Sequence, residues 1–536
     1  MPLIELALVL LLITALGGAL ARFTPIGLPI FLVFTGAAAS LLPGLGRVVV
    51  DPEVFLLLFI PPLLFADARV LPRRDLLQVL RPVLLLALGL VVLTVLAVGF
   101  LVHWLVPAMP LAVAFALGAI VSPTDAVATV ATTAGLPLPR RVAHIVNAES
   151  LLNDATGLVA FKLAVAAAVA ASAVTGVEIL TRFLLLSGGG VIVGIAVERL
   201  GRLLRERLIA LGIVDPVLQT LLAVLVPYAA YLVAEALHVS GVLAVVLAGL
   251  VAGGKEVRGH SAEGRRHARE VWRMLSWVLN GLVFVLLGLQ LRHMLEAVGH
   301  YPAAWLAGLA LGLWLLLMVM RLAWVWASAH VRFLLHWGWA GANTGPDWKR
   351  MFLISWAGVR GSVTLATALS VPLVTATGGP FPQRELVVLL AATTIILTLV
   401  LNGVPLPWII RRLHPRSEAA DLPEENAARA EIARAGIAAV EPSLAALEDE
   451  EGRTFAQGLI HRYEGKIDLR QGGPQAITKA AQIAAARQLR LHGIRAERER
   501  LYQLHARGEI NDDTLRIIEA ELDEREVMSS VEPMRG

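Results

Sequence analysis

The sequence predicts an all-α polytopic membrane protein: thirteen transmembrane helices in two inverted repeats with broken crossing helices, followed by a helical cytoplasmic tail. Three observations lead there. Of the 536 residues, 57% are hydrophobic and the mean hydropathy is +0.72, as expected of repeated apolar stretches of about 20 residues and not of soluble domains. The apolar runs are continuous rather than alternating, which excludes a β-barrel. The basic residues alternate between rich and poor connections, as membrane topology requires.

In chain order the spans fall near 3–21, 27–44, 53–67, 82–106, 109–133, 143–173, 178–198, 215–236, 239–253, 274–292, 302–331, 351–375 and 385–411. The first opens Met-Pro-Leu-Ile-Glu without a basic stretch, so it is expected to be a retained helix and not a cleaved signal. One set of alternate connections carries Arg22; Arg69, Arg73, Arg74 and Arg81; Arg140 and Arg141; Arg199, Arg202, Arg205 and Arg207; Lys255, Arg258, Arg265, Arg266, Arg269 and Arg273; and Arg332, Lys349 and Arg350. The other set carries only Arg47, Arg182, Arg292 and Arg384. Twenty against four puts the rich set in the cytoplasm, the N-terminus outside, the C-terminus inside and the protein in the cell (inner) membrane. The basic residues follow the loops, so no nucleic-acid partner is needed to explain them. The chain has no cysteine, which removes disulfides and thiolate chemistry, and no cofactor is expected.

Two spans are broken. In the fifth, Gly118-Ala-Ile-Val-Ser-Pro-Thr-Asp125 sets Pro123 at mid-membrane, where it deletes a backbone hydrogen bond. In the twelfth, Gly358 and Gly361 flank Arg360 within Trp356-Ala-Gly-Val-Arg-Gly-Ser362. The breaks lie an odd number of spans apart, so the two segments run in opposite directions. That is expected if spans 1–6 and 8–13 are inverted repeats, and such paired interruptions point to a transporter's midplane site. The plainer alternative is two unrelated kinks.

The sixth span holds Asn147-Ala-Glu-Ser-Leu-Leu-Asn-Asp-Ala-Thr-Gly157. On a helix, Glu149, Asn153, Gly157, Ser150 and Asp154 fall across an arc of roughly 140°. Ionisable groups at that depth are costly and mark function by default; an inert, hydrogen-bonded helix contact is the alternative. If the stripe faces both breaks, Asp154 and Asp125 supply carboxylate oxygens for Na⁺, Ser150 and Thr124 hydroxyl or carbonyl oxygens, and Asn153 an amide. Hard oxygen ligands suit a small hard cation. A carboxylate away from water holds its proton tightly, and a neighbouring cation loosens it. Proton and Na⁺ thus compete for one charge, with Asp154 as the shared carrier. Only one member of the Asn153-Asp154 pair ionises, which predicts electroneutral exchange of one cation for one proton.

Arg321 in span 11 and Arg360 in span 12 are also placed at depth, where an unpaired guanidinium is costly. Glu149 is the expected partner of Arg321, a structural pair that leaves Asp154 free to titrate. Snorkelling to the interface is the alternative for both arginines. Lys162 lies two turns beyond Asp154, either lining an outer funnel or paired elsewhere, and Asp67 and His144 are expected at the interface. Residues 415–536 form a second domain of soluble helices after the transmembrane domain 1–411. Helices are expected over Glu425–Glu448 (interrupted at Pro442) and Gln475–His505, then from an Asn511-Asp512 cap to about Glu526 as a terminal hairpin. The tail is either a dimerisation or regulatory element or a solvated appendage.

Glu149-Ser-Leu-Leu-Asn-Asp154, with Ser122-Pro-Thr-Asp125, Gly358-Val-Arg-Gly361 and Phe59-Ile-Pro-Pro-Leu-Leu-Phe65, resembles the cation:proton antiporter family 1, the NhaP-type and NHE-type sodium/proton exchangers. The resemblance covers about 1–411. It implies an inverted-repeat fold with a six-helix ion-transporting core and a separate dimerisation domain, homodimers, elevator-like alternating access and a role in pH homeostasis. Carried over by motif, Asp154 is the cation and proton site, with Asn153, Asp125, Thr124 and Ser150 shaping or ligating it. Glu149 bridges to Arg321, and Arg360 supports the crossing. Asn153, where electrogenic relatives have a second Asp, is similar to the electroneutral branch. Ala126 departs from the Pro that many members carry. The expected substrates are Na⁺ or Li⁺ and H⁺. A K⁺/H⁺ exchanger, an ion sensor signalling through its tail and an acid–base enzyme are the competing readings; no kinase, nucleotide, zinc or intramembrane-protease motif supports the last two.

Overall fold

The computed structural model describes residues 3–530 except 25–26, 43–50, 72–75, 77–79, 81–82, 133–135, 137–139, 171–175, 254–261, 335–346, 377, 414–420, 447–448, 472–473 and 508. Arg47, Arg73, Arg74, Arg81, Lys255 and Arg258 of the topology argument therefore lie outside the described residues. Two units emerge, Met1–Arg416 and Ser417–Gly536. Among the described residues both are built of helices, without a named strand.

The first unit runs α1 (Leu3–Ala21), α2 (Leu28–Ala39), α3 (Pro52–Val70), α4 (Leu85–Leu105), α5 (Leu111–Val121), α6 (Ala126–Thr132), α7 (Arg140–Ala170), α8 (Gly176–Ala210), α9 (Pro216–Ala236), α10 (Gly241–Gly253), α11 (Ala262–Ala297), α12 (Ala303–Leu334), α13 (Trp348–Trp356), α14 (Ser362–Leu369) and α15 (Arg384–Leu413). Helix thus lies within each of the thirteen predicted stretches, as a broken pair at the fifth and the twelfth. Among the described residues, seven helices can cross a membrane by length and composition, or eight when α5 and α6, bent by 47° at their break, count as one. Three shorter apolar helices, Glu5–Ala21, Leu28–Ala39 and Gly241–Gly253, accompany them.

Local chemistry sets the helix starts. Asp51, Asp215 and Asp347 cap α3, α9 and α13 by accepting from amides of the first turn, and Pro52 and Pro216 occupy first positions where no amide is needed. The wide turns Leu85–Leu90 in α4 and Thr398–Gly403 in α15 each add a residue to the helical repeat.

The packing falls into two groups of helices. In a bilayer, small residues let helix backbones meet. A methyl on Gly36 of α2 would run into the Val285 carbonyl of α11, and one on Gly288 of α11 into the Val33 carbonyl of α2. Gly194 of α8 is likewise pressed on the Ala244 carbonyl of α10, and Gly253 of α10 on the Arg69 carbonyl of α3. In the second group, Gly118 of α5 lies against the Val95 backbone of α4, and Gly157 of α7 against Pro123 and the Ala119 carbonyl. Helices α12 to α15 complete this group, α12 packing on α13 and α15, and α14 on α15.

The second unit is α16 (Asp421–Ala446), α17 (Glu450–Gln471), α18 (Pro474–Ala506) and α19 (Asp512–Ser530). The terminal hairpin is present: Asn511 Oδ1 accepts from the Thr514 amide at 2.8 Å, and Ile494, Leu501 and Leu522 are buried between α18 and α19. Two expectations are corrected. Pro442 does not interrupt α16, which continues one turn past it to Ala446 despite the amide that proline lacks. Helix α17 was not anticipated, its polar composition giving no apolar stripe to read.

Gly288→Ala is expected to destabilise the folded protein by about 1–3 kcal/mol through overpacking, measured as a lower Tm in detergent. Gly308→Ala on α12, where nothing lies within 4 Å of the added methyl, should leave Tm unchanged or raise it.

Candidate functional site

At the two breaks four half-helices end in the interior of the first unit, each with unsatisfied backbone groups and a dipole end. Asp125 serves both helix starts. Its Oδ1 accepts from the Ala128 amide of α6 (2.9 Å), and its Oδ2 accepts from the Ser362 amide of α14 (3.1 Å). Arg360 serves both helix ends. Its Nε donates to the Val121 carbonyl of α5 (3.1 Å), and its Nη1 donates to the Gly358 carbonyl just beyond α13 (2.8 Å). One anion thus faces two positive ends and one cation two negative ends. The backbones are tied directly where the Asp125 amide donates to the Val359 carbonyl at 2.7 Å. Any side chain at Gly361 would overlap the Asp125 carboxylate, which fixes glycine there.

Helix α7 lies against this crossing with its polar stripe inward. Ser150 Oγ donates to the Thr124 carbonyl (2.6 Å) and accepts from the Ala126 amide (3.2 Å), satisfying backbone freed by the break. Asn153 Nδ2 donates to Thr124 Oγ1 at 2.9 Å, while Asn153 Oδ1 is buried without a partner among the described residues. Glu149, fully buried, meets Arg321, 2% exposed, in a bidentate pair. The Arg321 Nη1 and Nη2 groups donate to the two Glu149 oxygens, Nη2 at 2.9 Å, and Arg321 further donates to the Ile354 and Ser355 carbonyls near the end of α13. Both arginines are buried, so neither snorkels.

Asp154, 5% exposed, differs from its neighbours. Among the described residues no donor or cation pairs with its carboxylate, and the charges of Asp125 and Asp67 lie within electrostatic reach. The structure thus brings Asp154, Asn153, Ser150, Thr124, Asp125, Glu149, Arg321 and Arg360 into one site. It gives Asp125 a structural engagement that spacing alone did not predict.

Asp67, near the end of α3, is exposed to solvent, and its charge lies within electrostatic reach of Asp125 and Asp154. Two supports also went unread. Thr129 Oγ1 donates to the carbonyls of Asp125 and Ala357, and Thr398 Oγ1 accepts from the Arg360 amide at 3.1 Å. The i+4 spacing of Thr129 from Asp125 was the one available signal; Thr398 sits in an ordinary apolar run.

Residues 8–412 match the family model described as "Sodium/hydrogen exchanger, transmembrane". The chain belongs to the sodium/hydrogen exchanger family. It is therefore a multi-pass membrane protein of an antiporter family. An uncharacterized Na⁺/H⁺ exchanger of Escherichia coli, YjcE, is 37% identical over 96% of this chain and 97% of its own. A "sodium, potassium, lithium and rubidium/H⁺ antiporter" of Bacillus pumilus is 34% identical over 98% of this chain and 77% of its own. The fold is shared with the sodium proton antiporter MjNhaP1 of Methanocaldococcus jannaschii, with a TM-score of 0.61 and 21% identity over 77% of this exchanger and 99% of that chain.

Arg321→Met leaves a buried, unpaired Glu149 and is expected to cost about 3–5 kcal/mol, measured as lost folded protein or a lower Tm. Adding Glu149→Leu removes both charges and should recover most of that loss.

Proposed function

We propose that this exchanger is a secondary antiporter of the cell membrane that trades Na⁺ or Li⁺ for H⁺, one for one, with both ions competing for Asp154. The observation that carries this reading is the division of labour among the buried acids. Glu149 is held by Arg321 and Asp125 by two helix starts, so Asp154 is the carboxylate left to change partners. A bare cation shed of water needs several oxygens. Asn153, whose Oδ1 has no partner among the described residues, is tied to Thr124, whose carbonyl takes the Ser150 hydroxyl, so the helix that carries Asp154 also gathers hard oxygens of the required kind.

The cycle follows from the competition. A protonated Asp154 is neutral and has no attraction for an alkali cation; a deprotonated one takes the cation in place of the proton. Each crossing thus carries one neutralised carboxylate. Asn153 cannot ionise and adds no charge, which makes the exchange electroneutral. Asp67, exposed to solvent within electrostatic reach of the site, draws cations toward it. Arg360, Glu149 and Arg321 hold the frame.

This reading takes thirteen spans in two inverted repeats, the N-terminus outside and the tail in the cytoplasm, in a homodimer that contributes to pH homeostasis. The two-anion-end, two-cation-end crossing supports the repeats, since a pseudo-two-fold relation would pair α5–α6 with α13–α14 in this way. A second reading, that K⁺ is also carried, is supported by the printed name of the Bacillus pumilus relative, which covers four alkali cations.

In everted vesicles holding an imposed pH gradient, Na⁺ or Li⁺ should dissipate the gradient, and Asp154→Asn should abolish the response. A response surviving in Asp154→Asn would overturn the site. An imposed membrane potential should leave the exchange equilibrium unmoved. Asp67→Asn should raise KM for Na⁺ by roughly two- to tenfold, the pull of one partly screened charge, with kcat near parental.

A further inference from the structure

Lys162 has no part in the ion site. It stands on α7 eight residues past Asp154, about 12 Å along the helix. Its ammonium is ion-paired with Glu235 at the end of α9 and lies 5.6 Å from the centre of the Tyr231 ring. The same Glu235 oxygen accepts from the Gly241 amide at 3.3 Å, which ties it to the start of α10. Lys162 therefore belongs to the group of helices that carries Asp154, and Glu235 to the other group, the one pinned together by backbone contacts at Gly36, Gly194, Gly253 and Gly288. The pair spans the seam between them.

Helix α10 locates the pair relative to the site. Its first residue, Gly241, meets Glu235, and its last, Gly253, is pressed on Arg69 at the end of α3, beside Asp67. The two ends lie about 18 Å apart. Asp67 is exposed to solvent at one end of the seam, and Lys162–Glu235 joins the two groups at the opposite end. By the basic-loop topology, the joined end is the outer one.

We propose that Lys162 and Glu235 form an outer latch. The pair holds the two helix groups together while the site faces the cytoplasm, and it separates when the site turns outward. This rests on the exchange reading above. The latch is weak enough to open in each cycle because both side chains are about a third exposed, at 32% and 37%, and water takes up the separated charges. Lys162 and Glu235 are thus positioning residues that set which face the site favours.

The readout is the ratio of apparent KM for Na⁺ measured from the two faces, in everted and in right-side-out vesicles. Each apparent KM is the intrinsic constant divided by the fraction of protein facing that side. Their ratio therefore reports the inward–outward equilibrium and is insensitive to how much protein folds. Lys162→Gln and Glu235→Gln should each raise the cytoplasmic-to-outer KM ratio by roughly two- to fivefold, the strength of a partly exposed ion pair. The charge swap Lys162→Glu with Glu235→Lys should bring the ratio back toward the parental value. As a second measurement, Lys162→Cys with Glu235→Cys in this cysteine-free chain allows joining by a short bis-methanethiosulfonate. Exchange should stop on cross-linking and return on reduction. An unchanged ratio in both single variants, or cross-linked protein that exchanges at the uncross-linked rate, would overturn the latch while the parent still exchanges. A parent that moves no protons on cation addition overturns the exchange reading and the latch with it.

Discussion

Everything at this site depends on how four helix ends are satisfied in the interior of the first unit. An unpaired backbone group away from water costs several kcal/mol, and each break exposes several. The solution uses one carboxylate and one guanidinium, Asp125 across the starts of α6 and α14 and Arg360 across the ends of α5 and α13. Because each ion touches both broken helices, the breaks cannot drift apart without stranding a buried charge. Removal of either would leave two like dipole ends facing each other, with no water to screen them.

This frame lets the neighbouring acids take different roles although they share one helix and one depth. Glu149 and Asp154 are five residues apart on α7 and both buried. Glu149 sits opposite α12, where Arg321 reaches it and is itself anchored on the Ile354 and Ser355 carbonyls. Asp154 has no such counter-ion among the described residues, and the charges within its reach include those of Asp125 and Asp67. A charge with a permanent counter-ion has little reason to exchange it, whereas a charge without one needs one from solution. The contrast comes from what each position on the helix faces, not from burial.

Much of this arrangement was legible in the sequence. Pro123 and the glycines around Arg360 marked the breaks, because proline removes an amide and glycine admits close backbone approach. The helical period put Glu149, Asn153 and Asp154 on one face, and the cost of a buried guanidinium named Arg321 as partner. What stayed hidden depended on contacts between distant segments. Nothing in the local pattern says that Asp125 reaches across to the amide of Ser362, 237 residues on, or that Thr398 receives the Arg360 amide. Nor does it say that the exposed Asp67 of α3 comes within electrostatic reach of Asp125 and Asp154.

The position of the site at a seam gives the fold its functional meaning. Asp154 and its oxygen neighbours belong to α5, α6 and α7, and Asp67 belongs to α3, on the other side of the same seam. A binding site built wholly inside one rigid group would keep a single route to solvent however that group moved. A site whose lining comes from two groups changes its route whenever one slides past the other. Backbone-to-backbone packing makes the group of α2, α3, α8, α10 and α11 stiff, and the crossing ions make the other group stiff. Between the groups the contacts are made by side chains, and it is there that the exposed carboxylate of Asp67 comes within electrostatic reach of the unpaired one of Asp154.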